Sequence, residues 1–131
     1  MILAVDASAI VAIYLDEPEA EAFKARIASA TVSLMSPVNY WEVTTTVRGR
    51  SGEAAVGAVE RLMTDLGIVV EPISLEQGRA AVTAAGRFGR GFHPAKLNMG
   101  DCFAYALSKA TGAPLLFKGN DFPQTDISAA L

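Results

Sequence analysis

An α/β fold with a central parallel sheet is predicted by three features of this 131-residue sequence. Short apolar segments of strand length recur along the chain, longer segments with helical periodicity separate them, and turn residues stand at the junctions. Short strands that alternate with helices form a parallel sheet covered on both faces. We therefore expect one three-layer α/β/α domain over residues 1–131, with a central parallel sheet of four or five strands.

Four apolar or β-branched segments are predicted as strands. They are residues 2–5, 31–35, 68–71 and 114–117. Continuous apolar character over a few residues is typical of parallel strands that are buried on both faces. In such sheets the functional site lies outside the carboxyl ends of the strands. We therefore expect the chemistry of this protein at that edge.

The segments between the strands are predicted as helices. They are residues 8–15, 17–28, 37 to about 48, 53–66, 75–87 and 101–111. Ser36 and Pro37 are a typical cap and first position, Pro18 fits a first turn, and Gly112 ends the last helix. Residues 49–52 are predicted as a break, 87–94 as a Gly-rich basic loop and 119–121 as a turn.

Composition restricts the functional classes. About half of the residues are apolar (51%), but no apolar run approaches the length of a membrane span. The N-terminus lacks the features of a signal peptide, and the single cysteine, Cys102, fits a reducing compartment. We therefore expect a cytoplasmic protein. The net charge of −3 by itself argues against a nucleic-acid partner, yet without the four acids described next it is +1.

Four carboxylates fall where the crevice is expected. Asp6 directly follows the first strand, and Asp121 lies a few residues after the fourth. Asp101 begins the last long helix, and Glu42 lies in the helix after the second strand. Taken singly, Asp6 and Asp101 are explained as helix caps and Asp121 as a turn residue. Glu42 lies in an apolar stretch, where acids are rare unless they are paired or bind a metal.

Carboxylates that share one cleft repel each other unless a cation neutralises them. A site made only of oxygen ligands suits Mg²⁺, with Mn²⁺ also possible. His93 is the only histidine, and no Cys/His spacing points to zinc. One such ion can activate a water and a second can stabilise a leaving oxygen, so the predicted reaction is phosphodiester hydrolysis.

Four blocks of the sequence, in this order, resemble the PIN-domain nucleases, and in particular the VapC-type toxins. They are residues 6–9 (DASA), 41–43 (WEV), 97–107 (LNMGDCFAYAL) and 115–122 (LLFKGNDF). The third block is the most specific, because an Asp begins a helix with an Ala-rich apolar face. The resemblance runs the length of the chain and implies a PIN domain.

The resemblance implies a magnesium-dependent endoribonuclease, the toxin of a toxin–antitoxin pair. It implies that Asp6 and Asp101 are the main Mg²⁺ ligands, that Glu42 and Asp121 complete the acidic cluster, and that Ser8 supports it by hydrogen bonding. It further implies an RNA substrate, a homodimer, and a cognate VapB-like antitoxin that blocks the cleft. Many relatives carry a second acid near the fourth block, where this chain has Asn120. Whether one or two metal ions bind, and whether Asn120 or Asp121 completes the site, therefore stays open.

The basic loop before Asp101 has two interpretations. Arg87, Arg90, His93 and Lys96 either contact RNA phosphates at the rim of the cleft or form a solvated, mobile loop. His93 fits a structural role better than a catalytic one. Asn98 either steadies the start of the last helix or contacts substrate.

Three other functional classes compete with the nuclease. A PIN-type fold whose metal site has decayed would be an RNA- or protein-binding module. A signalling receiver domain needs an Asp after its middle strand, where this chain has Glu71-Pro72. A phosphatase or nucleotide hydrolase would need a phosphate loop or a second Asp soon after Asp6, and the sequence has neither.

Overall fold

The computed structural model describes residues 1–131 and contains one parallel sheet of four strands. The strands are β1 (Ile2–Val5), β2 (Val32–Met35), β3 (Ile68–Val70) and β4 (Leu115–Leu116). They lie in the order β3-β2-β1-β4, and every neighbouring pair is parallel. The predicted parallel sheet is confirmed with four strands, although β4 keeps only two of the four residues predicted for it.

Six α-helices cover this sheet. They are α1 (Ala7–Tyr14), α2 (Ala20–Ala28), α3 (Pro37–Ser51), α4 (Ala54–Asp65), α5 (Leu75–Phe88) and α6 (Met99–Thr111), followed by a short 3₁₀ helix (Phe122–Gln124). The start of α3 is as predicted, because Pro37 is its first residue and the Ser36 hydroxyl accepts a hydrogen bond from the Val38 N–H at 3.3 Å. No helix combines the length and the apolar character needed to cross a membrane.

The two faces of the sheet are buried in separate hydrophobic cores. Leu3 and Val5 of β1 belong to a core completed by α1 to α4. Ala4, between them, points to a second core completed by α5 and α6. Successive residues of a strand point to opposite faces, so this division follows directly from the pleat. The three-layer α/β/α arrangement is therefore confirmed.

Two helix boundaries differ from the prediction by about three residues. Helix α2 begins at Ala20 and not at residue 17, because Asp16 adopts a positive φ of 53° and the chain turns before the helix forms. Helix α3 continues to Ser51, so the predicted break at 49–52 contracts to Gly52. Gly49 is tolerated inside the helix, where a Gly costs only about 1 kcal/mol relative to Ala.

The two glycines at the end of α3 respond oppositely to the same substitution. Gly52 has φ 89° and ψ 177°, a conformation open almost only to glycine, so Gly52→Ala should destabilise the protein by about 1–3 kcal/mol. Gly49 is helical with open space at its Cβ position, so Gly49→Ala should stabilise it by about 0.5–1 kcal/mol. Urea denaturation of the two variants measures both changes in the free energy of unfolding. An equal effect of the same sign would contradict the placement of Gly49 inside α3 and of Gly52 at its C-cap.

Candidate active site

A cleft of about 400 Å³ opens where β1 and β4 end and where α1, α3 and α6 meet. Eight of the ten residues that line it are polar or charged. The residues that line it are Asp6, Ala7, Ser8, Val11, Glu17, Glu42, Thr46, Asn98, Asp101 and Lys118. The cleft therefore lies at the carboxyl ends of parallel strands, where the functional site of such a sheet is expected. It contains three of the four predicted acids.

Asp6 is fixed at the end of β1 by its own helix cap. Its side chain is only 4% exposed, and one carboxylate oxygen accepts hydrogen bonds from the Ser8 backbone N–H (3.1 Å) and the Ser8 hydroxyl (2.6 Å). The Ser8 hydroxyl in turn accepts a hydrogen bond from the Lys118 backbone N–H at 2.9 Å, just after β4. Asp6 is thus both the N-cap of α1 and a member of the acidic site. Ser8 connects Asp6 to the segment that follows the neighbouring strand β4.

Asn39, which the sequence analysis did not identify, connects the acids to one another. Its side chain is fully buried on α3, and its amide nitrogen donates to a Glu42 carboxylate oxygen at 2.8 Å and to the Gly100 carbonyl at 3.0 Å. The same nitrogen lies 3.5 Å from the second carboxylate oxygen of Asp6. The amide oxygen of Asn39 is buried with no hydrogen-bond partner. One amide group therefore holds β1, α3 and α6 together at the site.

Asp101 is the third residue of α6 and not its cap. This corrects the prediction that Asp101 begins the helix. Asn98 is the cap: its side-chain oxygen accepts from the Asp101 N–H at 2.9 Å. The Asp101 carboxylate accepts from the Asn98 N–H at 3.1 Å, which completes a capping box. Of the two interpretations of Asn98, the structure shows the steadying of the helix start, and contact with substrate stays a prediction.

Gly100 leaves room for the Glu42 carboxylate beside the first turn of α6. A Cβ atom at this position would collide with the Glu42 carboxylate. The absence of a side chain at residue 100 is therefore a condition for bringing Glu42 next to the first turn of α6, and this turn carries Asp101.

The three predicted acids in the cleft, Asp6, Glu42 and Asp101, are ionised at a cost in free energy. Burial raises the pKa of Asp6 to about 6, against the hydrogen bonds from Ser8 that lower it. The pKa of Asp101 is likewise raised to about 6, mainly by burial and next by the Asp6 carboxylate. The pKa of Glu42 is raised by burial and by Asp101, although Asn39 lowers it. No salt bridge of the structure involves any of the three, so none of them is in direct contact with a cationic side chain.

This donor set fits a hard divalent cation. The available ligand atoms are carboxylate oxygens, which Mg²⁺ and Mn²⁺ prefer, and a bound cation would stabilise the ionised carboxylates that burial and mutual repulsion disfavour. No three His, Cys, Asp or Glu side chains are grouped as direct ligands of one ion. Mg²⁺ commonly uses one or two carboxylates and keeps several waters, so Asp6 and Asp101 would suffice. The four-carboxylate ligand set stays a prediction.

Asp121 lies at the edge of the site. It is exposed, it precedes the 3₁₀ helix without capping it, and it is absent from the wall of the cleft. Its charge nevertheless contributes to the raised pKa of Asp101, so the two carboxylates are neighbours. Asn120 is also exposed. A ligand role for either residue stays a prediction.

The basic loop does not form one basic surface at the cleft. Arg87 stacks on Phe88 and approaches Asp126 at 4.0 Å, near the C-terminus. Arg90 lies close enough to Asp101 to lower its pKa slightly, and Lys96 is exposed. His93 has a structural role, because its Nδ1 accepts from the Ala95 N–H at 3.0 Å and its ring packs edge-on against Phe88. Contact of the three basic residues with RNA stays a prediction.

A second and larger groove, of about 490 Å³, lies between α5 and α6. Its wall is mostly apolar and includes the exposed side chains of Val82, Phe92 and Met99. Arg90 is the only charged residue that lines it, and it contains no carboxylate. The groove therefore lacks the groups that hydrolytic chemistry requires, and the smaller acidic cleft is the candidate active site.

Sequence reasoning missed Asn39, Glu17, Thr46 and Lys118 among the residues at the site. Asn39 had a detectable signal, since it stands three residues before Glu42 and therefore on the same face of α3. Glu17 and Lys118 had none, because 101 positions of sequence separate two side chains that meet only in the fold.

A comparison with protein-family models matches residues 3–128 to the PIN domain. Ribonuclease VapC42 of Mycobacterium tuberculosis is 44% identical over 127 residues, which is 96% of this chain and 97% of the relative. Ribonuclease VapC of Mycolicibacterium smegmatis is 39% identical over 127 residues, 97% of this chain and 98% of the relative. The chain therefore belongs to the PIN-domain family and, within it, to the VapC ribonucleases.

Two solved structures share the fold at low sequence identity. The crystal structure of VapC20 of Mycobacterium tuberculosis, described as a sarcin-ricin loop cleaving toxin, has a TM-score of 0.77 at 18% identity and covers 95% of both chains. A toxin–antitoxin complex from Klebsiella pneumoniae has a TM-score of 0.69 at 16% identity, covering 95% of this chain and 92% of that one. The family membership excludes the receiver-domain and phosphatase alternatives.

Replacement of Asp6 should stabilise the protein while removing a site residue. Its folded-state pKa of about 6 lies above the ordinary value of 3.8, so ionisation opposes folding increasingly between these two pH values and fully above pH 6. Asp6→Asn keeps an oxygen for Ser8, so in EDTA it should gain about 3 kcal/mol at pH 8 and almost nothing below pH 4. Urea denaturation across this pH range measures the gain.

The control for this prediction is Asp65→Asn, which removes the same charge from the exposed end of α4. It reports the effect of removing one exposed charge, which includes about 0.3–1 kcal/mol from an acid at a helix C-terminus. A gain in stability for Asp6→Asn that is equal at pH 4 and pH 8, or that the control matches, would contradict the claim that ionisation of the buried Asp6 carboxylate opposes folding.

Proposed function

We propose that this protein is a magnesium-dependent endoribonuclease that acts as the toxin of a toxin–antitoxin pair. The observation that carries the proposal is the group of Asp6, Glu42 and Asp101 in one cleft, with raised pKa values and no direct contact with a cationic side chain. Such a group is suited to bind a divalent cation at the carboxyl end of a parallel sheet. The ribonuclease names of the relatives support the choice of RNA as substrate.

Asp6 and Asp101 would hold the ion, with Glu42 beside them and Asp121 at the rim. When bound, Mg²⁺ supplies a more acidic water as nucleophile and positive charge for the phosphate oxygens, and Mn²⁺ is the expected substitute. The number of ions, one or two, depends on whether Asp121 or Asn120 takes part.

The protein's own residues orient these acids. Ser8 fixes one oxygen of Asp6, and Asn39 fixes one oxygen of Glu42, so both carboxylates keep a defined direction into the cleft. The second oxygen of Glu42 receives no hydrogen bond, and the raised pKa of this group suits it to accept a proton during phosphodiester hydrolysis. Ser8 and Asn98 line the same cleft and are placed to contact the RNA backbone.

The same family membership supports a proposal for the partners and the location. We propose an RNA substrate, a cognate VapB-like antitoxin that blocks the cleft, a homodimer and a cytoplasmic location. The toxin–antitoxin complex from Klebsiella pneumoniae supports the antitoxin. Cleavage of the sarcin-ricin loop belongs to VapC20 and gives a reason to include RNA hairpins in tests of this chain.

The alternative is a binding module of the same fold whose metal site has decayed. The position of Asp121 favours it, because this acid is exposed outside the wall of the cleft and the fourth block has no second acid. Such a module would bind RNA or protein without cutting RNA under any metal condition.

Cleavage of a mixed panel of single-stranded and hairpin RNAs separates these two functions. We expect cutting with Mg²⁺ or Mn²⁺, none in EDTA, and a loss of at least about a hundredfold in Asp101→Asn, since a charge-stabilising group of the site is removed. Asp65→Asn is the matched control and should retain wild-type cleavage. Cutting that persists in EDTA or in Asp101→Asn would contradict the mechanism, and a folded wild type that cuts nothing would favour the decayed module.

A further inference from the structure

Lys118 is the only lysine or arginine among the residues that line the acidic cleft. It follows β4 by two positions, and its ammonium group lies 3.2 Å from a Glu17 carboxylate oxygen and 3.4 Å from one of Glu19. Both acids come from the turn between α1 and α2, and Glu17 also lines the cleft. A single cation is thus held by two carboxylates at the mouth of a site whose other charged groups are all acidic.

The backbone of Lys118 is fixed while its side chain is held only by exchangeable contacts. Its N–H donates to the Ser8 hydroxyl at 2.9 Å, and the same hydroxyl donates to Asp6 at 2.6 Å. The Lys118, Glu17 and Glu19 side chains are each about one-third exposed, at 35%, 32% and 38%. Ion pairs with this degree of exposure contribute little to stability, about 0–1 kcal/mol each, so another anion can replace them.

We propose that Lys118 is the RNA-phosphate contact of the cleft, and that Glu17 and Glu19 hold its ammonium group in the free protein until the phosphate replaces them. This assignment rests on the proposed function, because an RNA must enter the cleft. The two carboxylates present anionic oxygens to the ammonium group much as the two non-bridging oxygens of a phosphodiester would. A cleft with acidic walls repels a polyanion, and Lys118 is the one group in its lining that attracts it.

A purely structural role for the same three residues makes different predictions. Lys118 would then only fasten the turn before α2, where Asp16 has a positive φ, to the end of β4. Its replacement would lower stability but would leave the salt dependence of RNA binding unchanged. The salt dependence of RNA binding therefore distinguishes a phosphate contact from a purely structural ion pair. Each neutralised phosphate of a single strand adds about 0.7 to the slope of log K against log salt.

The experiment measures binding of a fluorescent single-stranded RNA by anisotropy in EDTA at several salt concentrations, and KM and kcat for its cleavage with Mg²⁺. Lys118→Met should weaken binding about fivefold and lower the salt slope by about 0.7, with KM raised and kcat within about twofold of wild type. Lys24→Met is the matched control, because Lys24 also pairs with a glutamate, Glu21 at 2.8 Å, but lies outside the cleft.

A double-mutant cycle tests the role of the glutamates. Glu17→Gln should tighten RNA binding about threefold in the wild-type background, and most of that gain should disappear in the Lys118→Met background, because the two side chains are coupled. Glu21→Gln, which frees Lys24 and removes the same charge, is the control for net charge.

The outcomes separate this assignment from the proposed function. A wild type that binds and cuts RNA, with Lys118→Met equal to Lys24→Met in affinity and salt slope, would overturn the role of Lys118 and leave the nuclease intact. An equal gain from Glu17→Gln in both backgrounds would also overturn it, because the gain would then be a general charge effect. A wild type that neither binds nor cuts RNA would overturn the proposed function and the phosphate contact together.

Discussion

The buried amide of Asn39 is the contact on which the site depends. Its nitrogen has two hydrogens and three acceptors within reach, on Glu42, on the Gly100 carbonyl and on Asp6. These acceptors belong to α3, α6 and the end of β1. A buried carboxylate that loses its donor retains the full cost of its desolvation, about 1–3 kcal/mol or more for a charged group. The amide therefore holds the three elements together and also stabilises the buried carboxylates of Glu42 and Asp6.

The sheet order explains why the acids meet at this place. From β1 the chain proceeds to β2 and β3 on one side, and it then returns to add β4 on the other side of β1. The crevice of an open parallel sheet forms where the strand order reverses, which here is between β1 and β4. Asp6 follows the first of these strands and Lys118 follows the second, and the Ser8 hydroxyl connects them. The position of the site is thus a consequence of topology, and the helices α3 and α6 deliver Glu42 and Asp101 to it.

Local signals in the sequence were sufficient for the fold and for three of the acids. Apolar strand segments, the Ser36-Pro37 start of α3 and the Asp after β1 are all encoded within a few residues, so they could be predicted. The length of α3 could not, because Gly49 is tolerated on an exposed part of the helix, where its conformational cost is small. Glu17 and Lys118 acquire their roles only through partners far away in sequence, such as Ser8 for Lys118. Asn39 has a local partner in Glu42, but its contact with Gly100 joins positions far apart in sequence. Periodicity and propensity carry no information about such pairs.

The central claim is that Asp6 and Asp101 form one cation site, and an anomalous diffraction experiment with Mn²⁺ tests it most directly. Crystals should be prepared above pH 7, where both carboxylates, with pKa values of about 6, are ionised. We expect a manganese peak bound to the Asp6 and Asp101 carboxylates, and its loss in crystals of Asp101→Asn. A peak bound elsewhere, or no peak at the cleft in well-ordered wild-type crystals, would contradict the central claim.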